Sequence, residues 1–143
     1  MTGTATFANA TGFLNFELKL INRLQREIFG AAGGHIHCGG PDVEGAVTTI
    51  LVAELRGGND AMSVTETGLL TDADVIDVGY GATIDEVTAS VFEGAAYVNV
   101  HSTDFVSGVT RGQVGVPTTS GSIALTPGAL GVISSLVALL VTI

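Results

Sequence analysis

Tryptophan is absent from this 143-residue chain, cysteine occurs once, and only five residues are basic. Each shortage closes a class of function. A single cysteine, Cys38, permits neither an internal disulfide framework nor a Cys-rich zinc module. Five Lys plus Arg face 14 Asp plus Glu, a formal net charge of −9, and the segment from Asp60 to Asp104 holds nine acids and no basic residue. Nucleic-acid binding is disfavoured, because no basic stripe exists to displace counterions from phosphates. A serine or cysteine nucleophile motif, a phosphate-binding loop and a dinucleotide fingerprint are also missing. No secretory signal opens the chain, since Met1 to Phe7 lacks a basic region followed by an apolar one. Charge itself is scarce, at 13% of residues, and the mean hydropathy of +0.52 is high for a soluble protein.

The apolar excess lies at the C-terminus. After Arg111 no charged residue follows through Ile143. Before it, the chain is long enough for one domain with a buried core. Thr4 to Phe7 reads as a strand, and Leu14, Phe16, Leu18 and Leu20 alternate with Asn15, Glu17, Lys19 and Ile21 in a second, half-buried one. Asn22 to Glu27 reads as an exposed connection. Further strands are predicted at His35–Cys38, Ala46–Leu55, Met62–Leu70, Tyr97–His101 and Thr110–Val116, with loops over 39–45 and 103–108. Thr71 begins a helix as N-cap with Asp74 reaching back, and Thr83–Glu93 is a second helical pattern ended by Gly94. Asp72, Asp74 and Asp77 suit capping better than calcium, since the glycine and the acidic twelfth position of a calcium loop are absent. The expected fold is all-β: an antiparallel immunoglobulin-like sandwich or barrel with one or two short helical inserts, plus a hydrophobic C-terminal tail helix.

All three histidines sit in two short runs, His35-Ile36-His37 and the later His101. On a strand, H-x-H points both imidazoles to one face and Ile36 to the other. If the two strands meet, His35, His37 and His101 form a candidate metal site for Cu or Zn, with water as a fourth ligand. The plainer alternative has these rings hydrogen-bonding loop carbonyls at the mouth of the barrel. Cys38 falls on the Ile36 side and is expected to be a small buried residue. Arg111 is expected to pair with an acidic surface residue, and Asn99 and Gln113 to anchor loops or sheet edges.

The series Gly3-Thr4-Ala5-Thr6-Phe7, His35-Ile36-His37-Cys38-Gly39, Gly45-Ala46-Val47, Leu70-Thr71-Asp72-Ala73-Asp74-Val75, Tyr97-Val98-Asn99-Val100-His101-Ser102 and Arg111-Gly112-Gln113-Val114 resembles the CHRD domain, the module named after chordin. The resemblance implies an immunoglobulin-like barrel, usually secreted or surface-exposed. It does not carry over growth-factor antagonism, which chordin exerts largely through separate Cys-rich repeats. The family usually has an additional strand before Gly3, so the first strand here reads as truncated, with a sheet edge left open. A fainter similarity is to copper/zinc superoxide dismutase, in which His35, His37 and His101 would be ligands and Arg111 would guide the anion. The zinc-bridging histidines and the disulfide of that family have no counterparts here.

These readings divide the chain into a CHRD-like barrel over 1–116, a hinge over 117–122 and a hydrophobic tail over 123–143. As a helix the tail is about 31 Å long, enough to span a bilayer. Ser120-Gly121-Ser122 alternatively supplies small residues for a GPI attachment site. A core strand pair in the tail is the weakest reading, because the barrel already has its strands. The expected function is a non-enzymatic cell-surface or extracellular module that binds a protein or matrix ligand and meets the membrane through its tail, its signal lying upstream of Met1. The alternative is a metal-binding barrel with dismutase-like redox activity.

Overall fold

The computed structural model describes residues 2–21, 33–52, 63–76, 83–102, 105–114 and 136–142. They form two four-stranded antiparallel sheets and one α-helix. The strands are β1 (Thr2–Ala10), β2 (Phe13–Ile21), β3 (Gly34–Cys38), β4 (Val47–Val52), β5 (Ser63–Leu70), β6 (Ala96–Ser102), β7 (Phe105–Gln113) and β8 (Leu136–Thr142). One sheet runs β5-β2-β1-β8, the other β4-β3-β6-β7.

The alternation read in β2 is present. Leu14, Phe16, Leu18 and Leu20 are buried, while most of the residues between them are exposed. With Ala5, Phe7 and Leu70 they line the inner face of the first sheet. Ile36, Leu51, Ala96, Val98, Val100 and Val114 join the same core from the second sheet. The two sheets thus close over one apolar interior, a β-sandwich. The β1–β2 hairpin turns through Thr11-Gly12, where Gly12 has a φ of 75° that a side chain would strain.

Thr71 caps a helix start, with Asp74 completing a reciprocal capping box, but only a 3-10 turn follows at Asp72–Asp74. Val75 stops it. Its backbone is extended and bridges to Thr49 at the edge of the second sheet, so the chain is pulled into strand geometry before a helix can propagate. The Asp72 carboxylate accepts from the Ile84 amide at 2.7 Å, one of the unsatisfied donors at the start of α1 (Ile84–Phe92). It therefore serves the helix. Asp77, the third acid of that trio, lies outside the described residues. The helix has its own box between Thr83 and Glu86, packs Ile84, Val87 and Val91 into the core, and ends at Gly94 with a φ of 75°.

Phe105 to Gly108, expected to be loop, belongs to β7 instead. Gly108 obscured the strand pattern, yet it is there for packing: its φ is 118°, and a Cβ would collide with the amide of Asn99. The segments 22–27, 53–55, 103–104 and 115–116 lie outside the described residues, as do 117–135 and Ile143. Where a tail helix was predicted, Leu136–Thr142 is a strand antiparallel to β1, on the edge expected to be open. No helix among the described residues is long and apolar enough to cross a membrane.

The capping box of α1 offers a direct check on this packing. Thr83→Ala removes the acceptor for the Glu86 amide and is expected to lower unfolding free energy by about 1 kcal/mol, with Thr83→Ser retaining most of it. Urea midpoints of the two variants at constant m-value measure the difference; equal midpoints would mean that the cap contributes nothing.

Candidate metal centre

The chain leaves the second sheet after β4, adds β5 to the first, passes through the 3-10 turn and α1, and returns to lay β6 against β3. This crossover decides the site, because it brings the two histidine-bearing runs into one antiparallel ladder with His35 opposite Asn99 and His37 opposite Tyr97. Period-two alternation then sorts the side chains. Ile36, Val98 and Val100 enter the core, and Cys38 follows Ile36 to that side as a buried free thiol. His35, His37, Tyr97, Asn99 and His101 take the outer face of the sheet.

That outer face is not open to water. His35, His37 and His101 are at most 9% exposed. Their ring centroids lie 5.7 Å (His35–His37), 4.9 Å (His35–His101) and 6.4 Å (His37–His101) apart. One nitrogen from each ring can be chosen so that all three lie within 4.8 Å of one another. The three predicted ligands are thus brought together.

His37 also makes the carbonyl bond that the plainer reading proposed. Its Nδ1 lies 2.9 Å from the Gly45 carbonyl. A proton on Nδ1 satisfies that contact and leaves the Nε2 lone pair for the cluster, the arrangement usual for a ligating histidine. Nε2 of His37 and Nδ1 of His35 are buried and have no hydrogen-bond partner. Burial, reinforced by the neighbouring rings of His101 and His37, lowers the His35 pKa to about 4. Burial lowers that of His37 as well, aided by His101 and Arg111 and opposed by the Gly45 bond and Glu44. At neutral pH both rings are uncharged bases.

The lid over this face is the 39–45 loop, and the side chains that hold it come from the same strands. Among the described residues Arg111 pairs with no acidic side chain, the partner expected of it; it donates instead to the Gly40 and Val43 carbonyls, both at 2.9 Å, and its guanidinium carbon sits 3.4 Å from the Tyr97 ring centre. Two backbone carbonyls and an aromatic face together satisfy a planar cation that a single surface carboxylate would leave half solvated. The neighbouring strand stacks His37 on Tyr97, with centroids 4.7 Å apart and planes 13° from parallel. Gln113 Nε2 reaches the carbonyls of Gly39, Gly94 and Ala96, and Asn99 Nδ2 donates to Ser107, so both are loop or edge anchors as predicted. The Gly45 amide donates to the Tyr97 hydroxyl at 3.0 Å. Gly45 admits no side chain, because a Cβ would run into the Cys38 carbonyl. Tyr97 was missed as a site residue; its period-two spacing from Asn99 and His101 was the available signal.

The depressed imidazoles carry a sign. Each takes up a proton on unfolding, so stability is fully present above about pH 6.5 and is lost as pH falls toward 4. For His35 the full loss is about 3 kcal/mol. Urea unfolding of metal-free protein at pH 7, 5.5 and 4.5 should show that fall, and His35→Gln should flatten it. An unchanged slope in the variant would assign the effect to other groups.

No curated protein and no solved structure matches the chain significantly. The family model for the CHRD domain matches residues 1–114, from β1 to just past the end of β7, and so includes both histidine runs and the Arg111–Gln113 anchor. Since that match takes in most of the chain, and both sheets apart from β8, the protein belongs to the CHRD domain family.

Proposed function

We propose that this CHRD domain binds one transition-metal ion, copper or zinc, through His35, His37 and His101. The observation that carries the reading is the convergence of three imidazole nitrogens within 4.8 Å on a buried face. Nitrogens about 2.0–2.1 Å from one ion lie roughly 3.3–4 Å apart. Closing the cluster therefore takes a shift of about 1 Å, which side-chain torsions can supply. Two of the rings are held neutral by burial, and neutral imidazole is the ligating form. A buried nitrogen without a partner on each of His35 and His37 costs free energy that an ion would recover.

The reading is one of binding, not catalysis. Arg111, the residue that a dismutase analogy would make an anion guide, is committed to two loop carbonyls and the Tyr97 ring. A second role rests on the loop itself. Tightly anchored from below, it presents exposed Asp42, Val43 and Glu44 outward, a shape suited to a protein or matrix ligand. The habit of the family and the uncharged C-terminal segment support a place at the cell surface. Labelling intact cells with a membrane-impermeant reagent tests that placement, and protein that stays protected until lysis would refute it.

Loading purified protein with copper or zinc, followed by desalting and elemental analysis, should leave one equivalent bound. The His35→Gln/His37→Gln double variant should retain none. Ligand at a thousandfold excess over its dissociation constant adds about 4 kcal/mol of stability, so melting temperature should rise on loading in the parent alone. Background metal content with an unmoved melting temperature would return the histidines to a structural role.

A further inference from the structure

Five asparagines occur in the chain, and only Asn9 has a hydroxyl residue two positions on. Asn9-Ala10-Thr11, with a residue other than proline in the middle, is the acceptor sequence for N-linked glycosylation. A motif this short is common by chance, so its placement in the fold decides what it means.

The placement is that of an acceptor. Asn9 is the penultimate residue of β1, paired with Leu14 across the hairpin, and Thr11 opens the turn. All three residues of the motif are exposed, whereas Ala5 and Phe7, on the same face of the strand as Asn9, are wholly buried. By Asn9 the strand has run past the core. Among the described residues none hydrogen-bonds the Asn9 side chain, so its amide nitrogen is uncommitted. Beside it lies a cleft of about 390 Å³, walled among the described residues by Asn9 and by Asp85, Thr88, Ala89 and Phe92 of α1. Asp85 accepts from the Gly12 amide at 3.1 Å and so ties the hairpin tip to the helix. Phe92 is only partly buried, and the Thr88 hydroxyl has no hydrogen-bond partner. An aromatic ring among a few polar groups gives a sugar both an apolar surface and hydrogen-bonding partners. A bulky polar substituent on Asn9 therefore meets room and not a clash.

We propose that Asn9 carries an N-linked glycan, seated over the cleft between the hairpin tip and α1. The proposal rests on the surface placement given above, since this motif is used in chains exported from the cell. The donor is an oligosaccharide joined through phosphate to a membrane lipid. Nδ2 of Asn9 loses one proton to a base of the transferase and bonds to the anomeric carbon; the anomeric C–O bond breaks, and the lipid phosphate leaves with its electron pair. Nothing is oxidised or reduced.

The full chain, recovered from the cells that make it in separate surface-labelled and protected fractions, is digested with trypsin, and the peptide containing Asn9 is fragmented by electron transfer. More than half of the labelled protein should carry a sugar increment, all of it on Asn9. Asn9→Gln and Thr11→Ala should each abolish the increment, and Thr11→Ser should retain it. An increment that survives Asn9→Gln would place the sugar on a hydroxyl and overturn the proposal. Unmodified Asn9 in surface-labelled protein overturns the glycan while leaving the surface placement standing. Protein that is both protected and unmodified overturns the two together; a glycan on Asn9 of protein that is wholly protected supports the modification and refutes the surface placement. If a variant fails to accumulate, the parent peptide alone decides, because fragmentation locates the sugar directly.

Discussion

Strand β3 is buried on both of its faces, and most of what is distinctive in this protein follows from that constraint. Its inner face meets an ordinary apolar core. Its outer face carries two imidazoles buried under a loop. Polar groups in such a place must be satisfied from within the protein. Gln113 Nε2 shares its two protons among three carbonyls, Arg111 donates to two, and His37 lies against one. One buried nitrogen each on His35 and His37 stands outside this accounting, as does the Oε1 of Gln113.

The topology makes the constraint possible. Strands β3 and β6 are far apart in sequence and adjacent only because the chain between them crosses to β5 of the other sheet and returns through the 3-10 turn and α1. Two capping boxes in succession hold that excursion to a fixed path, and Asp72 ties them together through the first amide of α1. The acids that the composition displays as a solvated surface are thus partly structural, set at helix starts where the local dipole favours them. Loosening α1 would shift β6 and move His101 relative to His35 and His37, so the stability of a distant helix bears on the geometry of the cluster.

Much of this was legible in the sequence because period two is a strong signal. It separated Ile36 from His35 and His37, placed Cys38 inward, and gave β2 its core residues. The meeting of the two histidine runs was legible only as a condition, since strand order is set by the crossover and not by any local pattern. The role of Arg111 was not legible at all. Its partners are backbone carbonyls about 70 positions earlier, and a carbonyl leaves no mark on composition. The start at Thr71 was legible because the capping signal is local, while its early end was not, because the bridge from Val75 to Thr49 that stops the turn is not local. For β8 the strand reading ranked below the helix because an uninterrupted apolar run does not distinguish the two by periodicity.

The lid and the cluster are mechanically one object. The His37 ring is bonded to Gly45 through Nδ1, stacked on Tyr97 through its face, and open at Nε2. Tyr97 is in turn bonded to the Gly45 amide and covered by Arg111, which grips Gly40 and Val43. A pull on Nε2 toward the other rings cannot be absorbed by His37 alone, because its stacking plane and its carbonyl bond fix two of the directions in which it could yield. Gly45 is itself closely packed, since a Cβ there would run into the Cys38 carbonyl. The loop that presents Asp42, Val43 and Glu44 outward is thus joined to the imidazoles by a continuous set of hydrogen bonds and ring contacts.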